Sequence, residues 1–308
     1  MSIFSTSSYS RQIIPYIDAI DQIALKLQHN PEDMINPRIW RQYGAKFGLT
    51  KLDLPSHICN GLGLSLRDLL SIYEYAGRIS LNLRDVIGIG HAYPLLMCLS
   101  NEQLIIQKSQ KNYIMNVLQD ISDGIAYVAI LITEPSMGSD LHSMKSYSRT
   151  IYDENKNVCG YRLYGVKCFN ARIEQCTHML IMVRNEQNLE LNTFLCETKY
   201  FINHSHSNVK HNNDTDNDNI KNNHDFDTTT TFSLGAAGLE GNSFGGCCFN
   251  GIFLPCEALI GGSGNGYEIF HKHFARWRLL QSASCLGTAI GGLLEISNWV
   301  RERQLFMK

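Results

Sequence analysis

Residues 133–140 read TEPSMGSD and follow an apolar run, YVAILI. Pro135 holds Glu134 in an extended backbone. Gly138 can supply a left-handed turn. Thr133, Ser136 and Ser139 add hydroxyls. Successive N–H groups in such a turn can converge on an anionic or carbonyl-rich ligand. The same residues would also serve an ordinary strand exit, where Ser and Asp stabilise turns. What surrounds the stretch decides between the two.

Before it, residues 1–127 carry helical periodicity. Ile13, Ile17, Ile20, Ala24 and Leu27 fall on one face of a first helix, and Leu66, Leu69, Leu70, Tyr73 and Ala76 on that of another. Ser65 is placed to cap the second. NEQLIIQKSQKNYIMNVLQD, opened by Asn101, reads as a third, and Gly-rich breaks such as NGLGLS separate the helices. From 128 to 257 short apolar runs alternate with turns. SYSRTIY and YRLYGVKCF flank DENKN as a hairpin, and THMLIMVRN and LNTFLCE are two further strands. Residues 203–231 interrupt this β-domain with an Asn/Asp-rich insertion of disordered composition. Its His204, His206, His211 and His224 are irregularly spaced, which favours a solvated loop over a metal site. Residues 258–308 return to helical period. Leu286, Ile290, Leu293 and Leu294 lie along one side, with the small residues Ser284, Gly287, Ala289 and Gly291 open to another helix. The fold expected is α+β and multidomain: an N-terminal all-helical domain, a middle antiparallel β-domain and a truncated C-terminal helical domain.

Composition narrows the class. Hydrophobic residues make up 44% of 308 and charged residues 18%, as in soluble globular proteins. A net charge of −2 without clustered Lys and Arg points away from nucleic acid. No uninterrupted apolar stretch reads as a bilayer span. The 10 cysteines show no two-residue metal or redox spacing and read as reduced thiols of a cytoplasmic protein. The Ser-rich MSIFSTSSYSRQ leaves the mitochondrial matrix as an alternative.

The order helical domain, TEPSMGSD, hairpin, YGVKCF, GLEGNSFGGCCFNGIFLP, GGSGNGYEIF and RERQLF resembles the acyl-CoA dehydrogenase family from about Trp40 to Lys308. The resemblance implies FAD and an acyl thioester, on coenzyme A or an acyl carrier protein. It implies that backbone groups of Ile130, Leu131, Ile132 and Thr133 meet the flavin. It also implies that Ser139 would lie between cofactor and substrate, and that Phe169, Asn170 and Ala171 would cover the ring. Many relatives have Thr or Ser at the last position, so Ala171 lacks a hydroxyl donor. Arg278 matches the Arg facing the acyl-CoA chain. Arg303, with Leu305 nearby, matches the Arg reaching FAD phosphate in a partner subunit. Met307 stands where the family usually has Gly.

The implied reaction removes an α-proton with a carboxylate while hydride leaves the β-carbon. Most relatives carry that Glu far along the C-terminal domain. A minority place it directly before the substrate Arg, where this chain has Trp277. No catalytic residue is assigned. The alternatives are an inactive binding or scaffold homologue, or half of a split enzyme. A lone C-terminal helix would leave Leu286, Ile290 and Leu294 exposed, or covered in a homo-oligomer or by a partner chain.

Overall fold

The computed structural model describes residues 9–29, 37–101, 108–200, 228–235 and 243–303. Its contacts group into a helical unit, residues up to Val128 with those from Glu268 onward, and a β unit, Ala129–Gly235 with Ser243–Tyr267.

The helical unit holds α1 (Ile14–His29), α2 (Pro37–Lys46), α3 (Leu66–Ile79), α4 (Tyr93–Ser100), α5 (Lys108–Ser122) and most of α6 (Gly266–Glu302). Ser65 caps α3, its Oγ accepting the Asp68 N–H at 3.2 Å. The apolar faces of α1 and α3 meet in a core that includes Ile13, Ile17, Trp40, Tyr73, Tyr75 and Leu280. Sequence periodicity misses α2 and α4, which are only 10 and 8 residues long. Too few turns repeat there for a stripe to show. Asn101 ends α4, its N–H bonding the Cys98 carbonyl. Residues 102–107 lie outside the described residues.

α6 packs on α3, and its residues from Glu268 onward group by contact with the N-terminal helices. The small residues explain how. A Cβ on Gly77 would collide with the Ser284 backbone, one on Gly287 with the Glu74 carbonyl, and one on Gly291 with that of Arg78. Thr288 Oγ1 donates to the Gly77 carbonyl at 3.1 Å. Ala289 is exposed and takes no part. The far side of α6 is apolar and open: Leu286 is 58% exposed, Leu293 65% and Leu294 41%, whereas Ile290 is partly buried. At 37 residues α6 is long and apolar enough to cross a membrane by length and composition alone, which corrects the reading that no segment is, and 22% of its apolar window is buried.

The β unit contains β1 (Val128–Leu131), β2 (Tyr147–Tyr152), β3 (Val158–Ala171), β4 (His178–Asn185), β5 (Leu191–Glu197), β6 (Thr228–Leu234), β7 (Phe244–Pro255) and β8 (Leu259–Ile260). The sheet order is β6-β7-β3-β2-β4-β5-β8, with β1 beside β4. β2 and β3 form the expected hairpin. In its turn Asp153 Oδ1 accepts the N–H groups of Asn155 and Asn157, both at 2.8 Å. Within the expected antiparallel β-domain one pairing differs: β2 and β4 pair parallel, Tyr147 with Arg184 and Ser148 with Asn185. A second difference concerns the insertion. Residues 228–231, a Thr run, open β6 and pair with β7. Thr is β-branched and suits a strand; the neighbouring Asn/Asp composition hides it. The rest of the insertion, with its four histidines, lies outside the described residues.

Candidate functional site

β1 delivers the chain to residues 132–140. Glu134 and Met137 close a tight turn through reciprocal backbone bonds of 2.9 and 3.1 Å. Gly138 is not among the residues with positive φ, so the turn does not use the left-handed conformation expected of it. It fronts open space instead; an added Cβ would meet nothing within 4 Å.

The acid of the turn points inward. Glu134 is 4% exposed, and its Oε1 accepts from Lys167 Nζ at 2.9 Å and from the Ser146 N–H at 2.9 Å. Its Oε2 takes the Lys145 N–H at 2.8 Å. Lys167, wholly buried, also donates to the Ile132 carbonyl at 3.0 Å. A buried charge is tolerated only when paired and hydrogen-bonded, as both are here. Burial is the largest influence on each. It raises the Glu134 carboxyl, but the Lys167 charge and the hydrogen bonds together outweigh it and leave the group below its ordinary value. Burial pulls the Lys167 ammonium down to about 8 against the opposing pull of Glu134. Gly165, two residues before Lys167, sits at φ 137° against Ser146, where a Cβ would collide. That backbone is one only glycine adopts readily.

The pairing of β3 with β7 breaks between Lys167 and Asn170. Cys168 leaves the ladder and donates its N–H to the Thr133 carbonyl at 2.8 Å. Bulges of this kind re-aim side chains. Phe169 follows at φ 57° and is 58% exposed, its ring centroid 6.2 Å from that of Phe244.

Of the residues singled out by sequence, Leu131 and Ile132 are buried and Ile130 and Thr133 partly so. The Ile132 and Thr133 carbonyls are already engaged by Lys167 and Cys168. Ser139 is exposed and Ala171 partly buried. Asn170 is 4% exposed, its amide turned to the Gly245 carbonyl at 3.4 Å. In the β unit the structure thus brings Thr133 and Phe169 to either side of one backbone link. In the helical unit Arg278 is exposed, 6.0 Å from the Phe274 ring, and Arg303 is exposed over Trp299 at 4.6 Å. Leu305 lies outside the described residues.

Sequence reading passed over a second cluster, wholly within the helical unit. His91 Nδ1 lies 3.0 Å from His273 Nε2. Trp277 packs on His91 with ring centroids 4.4 Å apart and stacks on His273 at 6.3 Å. Burial drives the His91 pKa down to about 4 and that of His273 well below its ordinary value, so both rings are neutral. The spacing of His273 and Trp277, four residues apart on a helix, was the available signal.

No protein-family model matches the chain. No curated protein matches it either. Solved structures do. The chain is similar to the FAD complex of PigA, with a TM-score of 0.72, 19% identity, and coverage of 99% of this chain and 72% of that one. A probable acyl-CoA dehydrogenase from Mycobacterium abscessus gives 0.73, 15%, 99% and 72%. Glutaryl-CoA dehydrogenase from Mycobacterium smegmatis gives 0.71, 16%, 98% and 68%. At these identities the likeness establishes the fold, and the chain has the fold of the acyl-CoA dehydrogenases.

Proposed function

We propose that this protein binds FAD and oxidises an acyl thioester, carried on coenzyme A or on an acyl carrier protein, at its α,β bond. The observation that carries the reading is the turn after β1, held from within by the Glu134–Lys167 pair. That pair fixes the backbone at Ile132 and Glu134 while Ser139 and the Phe169 ring stay at the surface.

The residues fit a flavin. Phe169 offers a flat, exposed apolar face against which a planar heteroaromatic ring can stack. Its bulged backbone is tied to Thr133, so the face is held rigid beside the turn. Ser136 and Ser139 are exposed hydroxyl donors, and Gly138 leaves room for close approach. Ala171 offers no hydroxyl. When bound, the flavin supplies a two-electron acceptor for hydride. In the helical unit Arg278 and Arg303 are exposed cations suited to thioester and phosphate oxygens. The FAD named with PigA and the thioester substrate named for glutaryl-CoA dehydrogenase support the same reading.

The test is the visible spectrum of the purified chain before and after adding FAD, then after adding acyl-CoA. A flavin band that bleaches with the thioester is expected. A colourless chain that takes up neither FAD nor acyl-CoA overturns the proposal. One observation favours a second reading, binding without chemistry: Trp277 stands directly before Arg278, and its indole accepts no proton. A retained flavin band that acyl-CoA perturbs but does not bleach would support it.

A further inference from the structure

The proposed function uses none of the thiols. Cys98, Cys168, Cys176, Cys196 and Cys247 are buried, but two others meet at the open end of the β3–β7 ladder, within the β unit. The strands run antiparallel with Gly160 opposite Pro255. Pro255 is extended, at φ −70° and ψ 168°, so one step further along the ladder Cys159 faces Cys256. Opposite residues of an antiparallel pair have Cα atoms about 4.5–5.5 Å apart. A disulfide spans about 4.4–6.8 Å. Cys256 Sγ donates to the Val158 carbonyl at 3.1 Å. That carbonyl belongs to the peptide bond entering Cys159, which keeps the sulfur within about 6 Å of the Cys159 Cα. Cys159 Sγ donates to the Ile151 carbonyl at 3.4 Å. A thiol is a weak donor, and one rotation about Cα–Cβ releases it. On its other side Cys159 is the extra residue of a bulge: β2 pairs Ile151 with Gly160 and Tyr152 with Val158. The two thiols differ in access. Cys159 is exposed and Cys256 partly buried. Burial holds the Cys256 pKa above its ordinary value, helped by Glu257 and Cys159 close by.

We propose that Cys159 and Cys256 are a reversible redox pair: Cys159 meets hydrogen peroxide and Cys256 resolves it into a disulfide. The pair is independent of flavin and thioester binding. The Cys159 thiolate attacks one peroxide oxygen. The S–O bond forms, the O–O bond breaks, and the second oxygen leaves as water once protonated, so Cys159 becomes a sulfenic acid. Cys256 then gives up its proton and attacks the sulfenic sulfur. The S–S bond forms, the S–O bond breaks, and the hydroxyl leaves as a second water. The two thiols have together lost two electrons and two protons, and the peroxide has gained them. A small dithiol reverses the step by thiol–disulfide exchange. An exposed thiol beside a resolving partner is the arrangement that redox-sensing cysteines share. The bond would tie the start of β3 to the end of β7 and close a covalent ring around the strands between them.

The test treats the full chain with hydrogen peroxide in native buffer, alkylates the remaining thiols and digests without reductant for mass spectrometry. Chymotrypsin cuts after Phe249 and so separates Cys256 from Cys247 and Cys248. The expected product is a Cys159–Cys256 linked peptide, lighter than its two parts by two hydrogens, which dithiothreitol releases. Cys285, exposed on α6, reports how far an ordinary accessible thiol has reacted. Cys256→Ser should lose the link and leave Cys159 as a sulfenic acid that dimedone captures. Cys159→Ser should lose the link and leave Cys256 a free thiol. Alanine at either position is read in its place if the serine variant melts early. A wild-type chain whose Cys159 and Cys256 are both alkylated after Cys285 has oxidised overturns the pair. So does a Cys159 sulfenic acid that persists beside a free Cys256, a link that joins Cys159 to another cysteine, or a link that forms only in urea.

Discussion

Lys167 Nζ lies 2.9 Å from Glu134 Oε1, with the two side chains 0% and 3% exposed. This joins the last part of β3 to the turn that follows β1. Breaking a buried pair by removing one partner leaves an uncompensated charge, which costs about 3–5 kcal/mol. Lys167→Met and Glu134→Gln should each lose that much in urea denaturation. The double substitution should recover part of the loss, because neither charge is then stranded. Additive losses would show that the two side chains are not coupled.

The pair also sets a pH dependence. Glu134 has a folded pKa below its ordinary value, so it binds fewer protons folded than unfolded. Its contribution is present above the ordinary carboxylate value and is lost as pH falls through the folded one. Lys167 is lowered to about 8, so between there and the ordinary lysine value its contribution to stability rises with pH. Urea midpoints of wild type and Glu134→Gln, compared from pH 7 downward, should converge as the acid range is entered. A constant difference would count against the assignment.

The contact between α3 and α6 predicts opposite outcomes for two glycines of one helix. Gly287→Val drives a side chain into the Glu74 carbonyl, and overpacking of this kind costs about 1–3 kcal/mol. Gly292→Ala meets nothing within 4 Å and should gain about 1 kcal/mol from helix propensity. Thermal denaturation of both variants checks the pair of signs.

Phe169 predicts a change in affinity without a change in stability. The residue is 58% exposed, so Phe169→Ala removes little packing. Lost stacking should weaken FAD binding about 10-fold, or about 1.4 kcal/mol. A flavin titration read beside a melting curve measures both quantities. Unchanged affinity would remove Phe169 from the flavin site.

Much of this was legible in the chain itself. Ser65 as a cap, the β2–β3 hairpin around Asp153 and the small residues that seat α6 on α3 follow from local chemistry. Local rules act between residues a few positions apart, and those patterns have that range. Composition misled where a short strand borders a polar tract, as at Thr228–Leu234. It was silent on α2 and α4, whose few turns show no period.

The sequence alone determined which residues could do chemistry after β1. Only the tertiary structure decided that the Glu134 acid is spent inside the protein, on a lysine 33 positions away, while Phe169 faces outward at a break in the ladder. It alone brought His91 to His273 across 182 positions. The reason is physical. Burial and desolvation belong to no residue by itself, and they turn an ordinary acid and an ordinary lysine into a buried ion pair and hold two ordinary histidines neutral.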